Sequence, residues 1–318
     1  MTGPGMRALK WLLPIAVSVG AFWFLLGRID LVEVIRDVDA RAAAILIPSV
    51  LVFGAVSLWL EAVSIDHLAA TDSRRLGRWT CARIKAATYP LGLLNYALGA
   101  GGLTYLLRRR GGLAVSEAAG IVMLIALFDL GLLLVLSALG VTLLSTRAVA
   151  LQAGVVTAGV AGIAAGFVFL RTSVSLGPLE RIRGLELFRA ARETPVDRLV
   201  ILGLLRLAFV ISFILVCGAA LMAFGVRVPP GDLAVGVTAV SLVASLPIAV
   251  AGLGTGQVAF VYMFRDWAAP EILLASNLAL TAMLILMRSG MGLLFAREFT
   301  REALEAAREI GELGELGS

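Results

Sequence analysis

The chain has 318 residues, of which 60% are hydrophobic and only 15% charged, and its mean hydropathy is +0.97. This composition lies outside the usual range for soluble domains and indicates a polytopic membrane protein. With one histidine and two cysteines, the sequence argues against a histidine-ligated metal centre, a Ser/His/Asp triad or a disulfide framework. We expect no metal, no cofactor and no nucleic-acid partner.

Eight uncharged or nearly uncharged runs have the length of membrane helices. A hydrocarbon core of about 30 Å needs about 20 apolar residues in a helix. The runs cover residues 8–27, 42–60, 86–107, 118–146, 148–170, 199–226, 233–264 and 272–296. No linker separates them, so we predict one all-α transmembrane domain over residues 1–318, with an uncleaved first helix and a charged C-terminal tail at 297–318.

The distribution of basic residues tests whether each run crosses the membrane once or enters and leaves on the same side, because cytoplasmic loops collect Lys and Arg. Eight single crossings place 12 basic residues inside and 13 outside, which is no bias. If 86–107 and 233–264 each enter and leave on the same side, 19 lie inside and 6 outside. We therefore predict six full transmembrane helices plus two re-entrant broken-helix hairpins. Both termini are then cytoplasmic, in a bacterial inner (cytoplasmic) membrane.

Helix-breaking residues support both hairpins. The stretch "SLPIAVAGLGTGQVAF" (245–260) places a proline and three glycines inside an uncharged run, where they weaken a helix. Residues 233–264 would measure about 48 Å as one helix, longer than the bilayer core. The run 86–107 carries Pro90, Gly92, Asn95, Gly99, Gly101 and Gly102.

The two broken segments also resemble each other. "GLTYLLRRRGGLAVSEAA" (102–119) and "GQVAFVYMFRDWAAPEIL" (256–273) align with a constant displacement of 154 residues. Gly102 then matches Gly256, and Glu117 matches Glu271. Since three full helices separate them, we predict inverted units at 86–139 and 233–296, an arrangement typical of transporters.

These motifs carry a family resemblance. "NYALGAGGLTYLLRRR" (95–110) with "DLG" (129–131), and "SLPIAVAGLGTGQ" (245–257) with "LMRSG" (286–290), resemble the flippase-like transmembrane region of lysylphosphatidylglycerol synthases and its stand-alone relatives. The resemblance covers roughly 10–297. It implies movement of an anionic or modified lipid, or of a lipid-linked sugar, between leaflets.

The chain departs from the family pattern in two places. Leu98-Gly99 stands where a proline is common. No soluble aminoacyl-transferase domain follows within the 318 residues, so we expect no aminoacylated lipid to be made by that route.

Ionisable residues inside a span are costly and usually face a cavity or a partner. Asp129 lies mid-span and either contacts a cationic headgroup or pairs with an arginine. Arg288 either binds a lipid phosphate, which its bidentate fork suits, or snorkels to the cytoplasmic interface. Arg206 is interpreted as snorkelling to the interface, and Glu61 as interfacial at the end of its span.

The predicted lipid path combines these residues with the broken segments, where exposed backbone lines a wet cavity. Its members are Asn95, Gly99, Gly101, Gly102, Tyr105, Asp129, Pro247, Gly252, Gly254, Gly256, Gln257 and Arg288. Headgroup or surface contacts are assigned to Arg108, Arg109, Arg110, Glu117 and Glu271. The arginine cluster either attracts anionic lipid or only sets the orientation of the chain by the positive-inside rule.

Three functions stay open from the sequence. The first is a flippase-like transporter without a catalytic domain, whose partners are membrane lipids: anionic phospholipid, glycolipid or lipid-linked sugar. The second is an accessory subunit that partners a lipid-modifying enzyme. The third is a membrane-embedded glycosyl- or acyl-transferase, for which Asp66, His67 and Asp72 form the only candidate cluster.

Overall fold

A computed structural model describes residues 39–70, 75–94, 96–143, 157, 159, 161, 188–245 and 255–315, and all regular structure in these ranges is helical. The helices, numbered here in chain order, are α1 (Ala40–Ala69), α2 (Arg78–Leu94), α3 (Tyr96–Gly111), α4 (Val115–Leu143), α5 (Arg189–Glu193), α6 (Val196–Ala223), α7 (Pro230–Ser245), α8 (Thr255–Phe264) and α9 (Pro270–Glu315). The prediction of an all-α protein is confirmed for this part of the chain.

Four helices are long and apolar enough to cross a membrane. They are α1, α4 as far as Gly140, α6, and α9 as far as Phe295, each with 26 to 30 residues. At 1.5 Å per residue such helices exceed the hydrocarbon thickness of about 30 Å. The expected multi-pass membrane protein is thereby confirmed. The predicted span at 8–27 lies outside the described residues, as does 148–170 apart from positions 157, 159 and 161.

Helices α1 and α6 pack against each other as an antiparallel pair. Near the end of α1, the His67 ring nitrogen Nε2 lies 3.1 Å from the carbonyl oxygen of Arg198, whose guanidinium donates to the Ala70 carbonyl at 2.7 Å. Further along, the Phe53 ring contacts Phe209 with centroids 6.1 Å apart. We call the end of the bundle at Ala69 the first end and the opposite end the second end.

Helices α2 and α3 form an antiparallel hairpin that starts and finishes at the first end. Gly77, just before α2, has φ +82° and donates its N–H to the Asp66 carboxylate at 2.9 Å, which ties the entry of the hairpin to the end of α1. At its exit Gly111 contacts the Leu76 side chain. Near the turn, Gly92 and Gly99 touch backbone to backbone, an approach that side chains would prevent.

Helices α7 and α8 make a second antiparallel pair, which starts and finishes at the second end. Gly236 of α7 packs against the Phe264 ring of α8, and Ala244 against Gly256. Phe264 is buried in the same cluster as Val226, just after α6, and Leu273, just inside α9. The connection between α7 and α8, residues 246–254, lies outside the described residues.

The helix bounds recur with the displacement of 154 residues found in the sequence. When 154 is added to the residue numbers, α1 ends at the same residue as α6, and α3 ends one residue after α8. Helix α2 then starts two residues after α7, and α4 starts one residue before α9. The matching pieces therefore extend beyond 86–139 and 233–296 to include α1 and α6.

Two helices extend beyond the uncharged runs of the sequence. The run 42–60 stops before Glu61, whereas α1 continues to Ala69 because no helix breaker follows Glu61. The run 86–107 begins after Lys85, whereas α2 begins at Arg78. Glu61 and Lys85, which limit the two runs in the sequence, pair with each other inside the protein.

Candidate functional site

A cavity of about 220 Å³ lies where the α2–α3 hairpin packs against α1, α4, α6 and α9. The α2–α3 hairpin contributes Gly92 and Gly99 to its wall, close to the turn of the hairpin. Its charged and tyrosine lining consists of Glu61, Lys85, Tyr89, Asp129, Arg206 and Arg288, with Tyr96 near the turn. Five charged side chains from five helices thus converge on one small space within the bundle.

Glu61 of α1 anchors one side of the cavity. Its Oε1 lies 3.0 Å from the Lys85 ammonium, and its Oε2 accepts a hydrogen bond of 2.6 Å from the Tyr89 hydroxyl. Both partners come from α2, one turn apart, so they reach the carboxylate from the same helix face. Both oxygens of Glu61 are therefore engaged by the hairpin.

Asp129 of α4 and Arg206 of α6 form a bidentate pair. The Arg206 Nε donates to Asp129 Oδ1 at 2.5 Å and Nη2 donates to Oδ2 at 3.0 Å. The arginine side chain is 2% exposed and the aspartate 36%, so the aspartate faces the more open side of the cavity. The guanidinium also lies 4.4 Å from the Phe209 ring centroid, a favourable cation–π geometry.

Arg288 of α9 completes the lining. Its guanidinium carbon lies 5.5 Å from the centroid of the Tyr89 ring, within cation–π distance. Among the described residues its buried Nε has no hydrogen-bond partner, and the same holds for Nη1 of Arg206. Two guanidinium groups therefore each keep an unused donor.

The charged lining is unbalanced. Two carboxylates face three cations, so the cavity carries a formal charge of one positive unit when all five groups are ionised. Each carboxylate has its own cation at ion-pair distance, whereas no described carboxylate lies at that distance from Arg288, which Glu61 reaches only at longer range. In a low-dielectric interior an uncompensated charge is costly, and a bound anion would relieve that cost.

Three residues of the predicted path lie at the cavity: Gly99, Asp129 and Arg288. Of the two roles left open for Asp129, the arginine pair is the one observed. The interpretation of Arg206 as a snorkelling residue is wrong, because its side chain is buried and paired. Glu61 is not at the end of its helix, because α1 continues for eight more residues to Ala69.

The other predicted residues that the structure describes lie away from the cavity. Tyr105 is 54% exposed, and its hydroxyl accepts a hydrogen bond of 3.1 Å from Arg109. Glu271 lines a separate cleft at the second end, beside Phe224. The remainder are Gly101 and Gly102 on α3, Arg108 and Arg110 in its last turn, Glu117 in the first turn of α4, and Gly256 and Gln257 on α8. Asn95, Pro247, Gly252 and Gly254 lie outside the described residues.

Sequence reasoning missed Lys85 and Tyr89 as site residues. In the sequence Lys85 belongs to a basic segment that is predicted to be a cytoplasmic loop, and Tyr89 precedes Pro90 in a predicted broken segment. Their spacing of four residues places them on one helix face, and that signal was available. Their shared partner Glu61 lies 28 residues from Tyr89 in the chain. Only the folded structure brings the three side chains together.

Four long apolar helices around a charged internal cavity define a multi-pass membrane protein with a polar site inside its bundle. A family model, the lysylphosphatidylglycerol synthase TM region, matches residues 11–291 of the chain. The match covers most of the chain, and the protein belongs to this family. No curated protein and no solved structure matches the chain with significant similarity.

Proposed function

We propose that this protein is a flippase-like transporter that moves an anionic, modified or glycosylated lipid between membrane leaflets. The observation that carries the proposal is the charged cavity, because it lies inside the bundle at the turn of a hairpin. Ionisable groups at such depth are expensive and mark substrate paths in membrane proteins. Membership of the family agrees with a role in lipid handling.

The proposed topology places the first end of the bundle in the cytoplasm. The α2–α3 and α7–α8 hairpins then enter the membrane from opposite faces as re-entrant segments, beside six full spans, and both termini are cytoplasmic. The displacement of 154 residues and the antiparallel α1 and α6 support inverted repeats. Broken helices that meet between inverted repeats are where transporters bind their substrates.

The proposed mechanism needs no covalent chemistry. A polar headgroup would enter the cavity while its acyl chains stay in the surrounding lipid. Inside, fixed side-chain charges would replace the water that solvates the headgroup, which lowers the desolvation cost of crossing the hydrocarbon. The protein would act as a transporter rather than an enzyme.

Leaflet exchange in proteoliposomes tests the proposal. Fluorescent anionic, zwitterionic and glycosylated lipids would be followed by a membrane-impermeant quencher, with empty vesicles as the baseline. We expect exchange above baseline for at least one probe, lost in Arg288→Ala and Asp129→Asn. It should be retained in Arg265→Ala, which removes an equal charge from an exposed site outside the cavity. A folded protein that exchanges none of the probes contradicts the proposal.

One observation favours a second candidate function, an accessory subunit of a lipid- or glycolipid-modifying pathway. Helix α9 runs to Glu315, about 20 residues beyond the apolar segment that ends at Phe295. At 1.5 Å per residue the extension is about 30 Å long, enough to reach a partner enzyme. If deletion of 300–318 leaves exchange unchanged but abolishes lipid modification in cells, this second role is supported.

A further inference from the structure

We propose that the α9 extension, residues 296–315, is a docking surface for a basic amphipathic helix of a partner protein. Helix α9 runs without interruption from its apolar span, which ends at Phe295, to Glu315. The inference goes beyond the proposed transport, because the extension follows the span and is not part of the charged cavity. It also states the chemistry of the partner that the second candidate function requires.

The extension leaves the bundle at its first end. The Phe295 ring contacts the Trp79 ring of α2, with centroids 6.1 Å apart, and α2 starts at that end. Helix formation is limited by nucleation, and here the preceding span supplies the nucleus. At 1.5 Å per residue the extension reaches about 30 Å past the span. It therefore offers a pre-ordered helix on the side of the membrane that is proposed to be cytoplasmic.

An apolar stripe, called the seam below, follows one face of the extension. Its members are Phe299, Ala303, Ala306, Ile310 and Leu313, at successive spacings of four, three, four and three residues. This spacing is the a and d pattern of a coiled coil, and it continues for two heptads. Such a stripe buries its apolar surface when an amphipathic helix packs along it.

A stripe of five glutamates borders the seam. Glu298, Glu302, Glu305, Glu309 and Glu312 each precede a seam residue by one position, which places the two stripes about 100° apart around the helix. Glutamates three or four residues apart on a helix repel one another. The last turn of α9 carries no basic residue, although cations are favoured at a helix C-terminus. The stripe thus costs the isolated helix stability, and cations on a partner would offset that cost.

The other charges of the extension lie away from the seam. Three arginines each precede a glutamate by one position, so they fall on the side of the acidic stripe remote from the seam; they are Arg297, Arg301 and Arg308. The opposite border of the seam holds the uncharged residues Thr300, Ala307 and Gly314. Every charge beside the seam is therefore negative. A partner helix matches it when lysine or arginine borders its own apolar stripe.

The same pattern argues against a second copy of this chain as the occupant. Glu302 and Glu309 stand at g positions, and in a parallel pair such residues meet the e positions of the other helix. The e positions here include Ala307 and Gly314, which offer no counter-charge. In an antiparallel pair the g positions of the two copies meet each other, so their glutamates repel. A helix of different sequence is needed to supply the cations.

Two synthetic helices test the inference. Both are labelled with fluorescein and are three heptads long, with leucine at a and d; one has lysine at e and g, and the other has glutamate there. Each is titrated with the purified full chain in an uncharged maltoside detergent and followed by fluorescence anisotropy, with empty micelles as the baseline. We expect the lysine probe to bind at least tenfold more tightly than the glutamate probe.

Charge-reversal variants locate the docking surface. Glu302→Lys/Glu309→Lys changes the two glutamates next to the seam, and it should weaken the lysine probe at least tenfold and strengthen the glutamate probe. The matched Glu305→Lys/Glu312→Lys changes the net charge equally, one row further from the seam, and should weaken the lysine probe less than threefold. If circular dichroism shows that the first variant loses helix, Glu302→Gln/Glu309→Gln replaces it and should weaken the lysine probe at least threefold.

Other outcomes would overturn the inference. Equal weakening by the two lysine variants would mean attraction to net charge without docking, and equal binding of the two probes would mean apolar adsorption. A variant that lacks residues 298–318 should lose probe binding and keep the oligomeric state of the full chain. A smaller oligomer by light scattering would instead identify the extension as a contact between copies of this chain. Lipid exchange without probe binding would keep the transporter and reject this inference, whereas probe binding without exchange would do the reverse.

Discussion

At the scale of single residues, the Asp129–Arg206 pair shows how burial changes the role of a charge. An arginine eight residues from the start of an apolar run has the length to reach the interface. Arg206 instead lies 2% exposed against a carboxylate from another helix. The pair neutralises two charges that neither helix could tolerate alone.

Removal of one partner of this pair should destabilise the fold more than replacement of both partners by apolar residues. We expect Asp129→Ala to lower the free energy of unfolding by about 3–5 kcal/mol, because Arg206 stays buried without its counter-charge. The double variant Asp129→Leu/Arg206→Met should recover most of that loss, since an apolar pair has no desolvation cost. Chemical denaturation in detergent measures both, and a double variant as unstable as the single one would contradict the argument.

At the scale of helices, close contact in the α2–α3 hairpin depends on particular glycines. A Cβ on Gly99 would lie 2.7 Å from Cα of Gly92, whereas a Cβ on Gly101 would meet nothing within 4 Å. Both glycines lie within α3 and differ only in what they face. They form a matched pair for testing the hairpin.

Gly99→Ala should destabilise the protein and Gly101→Ala should not. The clash at Gly99 is with backbone and cannot be relieved by a rotamer change, so we expect a cost of about 1–3 kcal/mol. At Gly101, alanine should be neutral or stabilise the helix by up to about 1 kcal/mol. Thermal unfolding in detergent gives the comparison, and equal effects of the two variants would mean that the hairpin is not closely packed.

The existence of a broken segment was predictable, but the place of the break was not. Proline and glycine weaken a helix locally, so Pro90 and the glycines after it predict a broken segment without knowledge of neighbours. In the structure α2 continues through Pro90 to Leu94, and α3 begins at Tyr96. Lys85 also lies inside α2, where Glu61 of another helix pairs with it.

At the scale of the whole molecule, the two hairpins start and finish at opposite ends of the bundle. In the proposed topology, Arg75 and Arg109 flank the first hairpin on one face of the membrane, and Arg227 and Asp266 flank the second on the other face. All four side chains are exposed. The native Cys81 and Cys217 are buried and can be replaced by alanine to remove background reaction.

Single cysteines at these four positions should divide into two groups. In sealed vesicles of uniform orientation, an impermeant maleimide is expected to label Arg75→Cys and Arg109→Cys from one face only. Arg227→Cys and Asp266→Cys should be labelled from the opposite face only. If positions 75 and 109 were labelled from opposite faces, residues 78–111 would cross the membrane and the re-entrant topology would be wrong.

The sequence alone determined that this is a helical membrane protein of its family, and that two of its apolar segments are interrupted. Those properties follow from hydrophobic length and backbone chemistry, which act within one segment. Only the tertiary structure decided which charges meet: Asp129 and Arg206 lie 77 residues apart in the chain and Glu61 and Tyr89 28 apart. Such pairs depend on which faces of five helices point inward, and side-chain packing between helices sets that. The cavity and its excess positive charge are therefore properties of the fold.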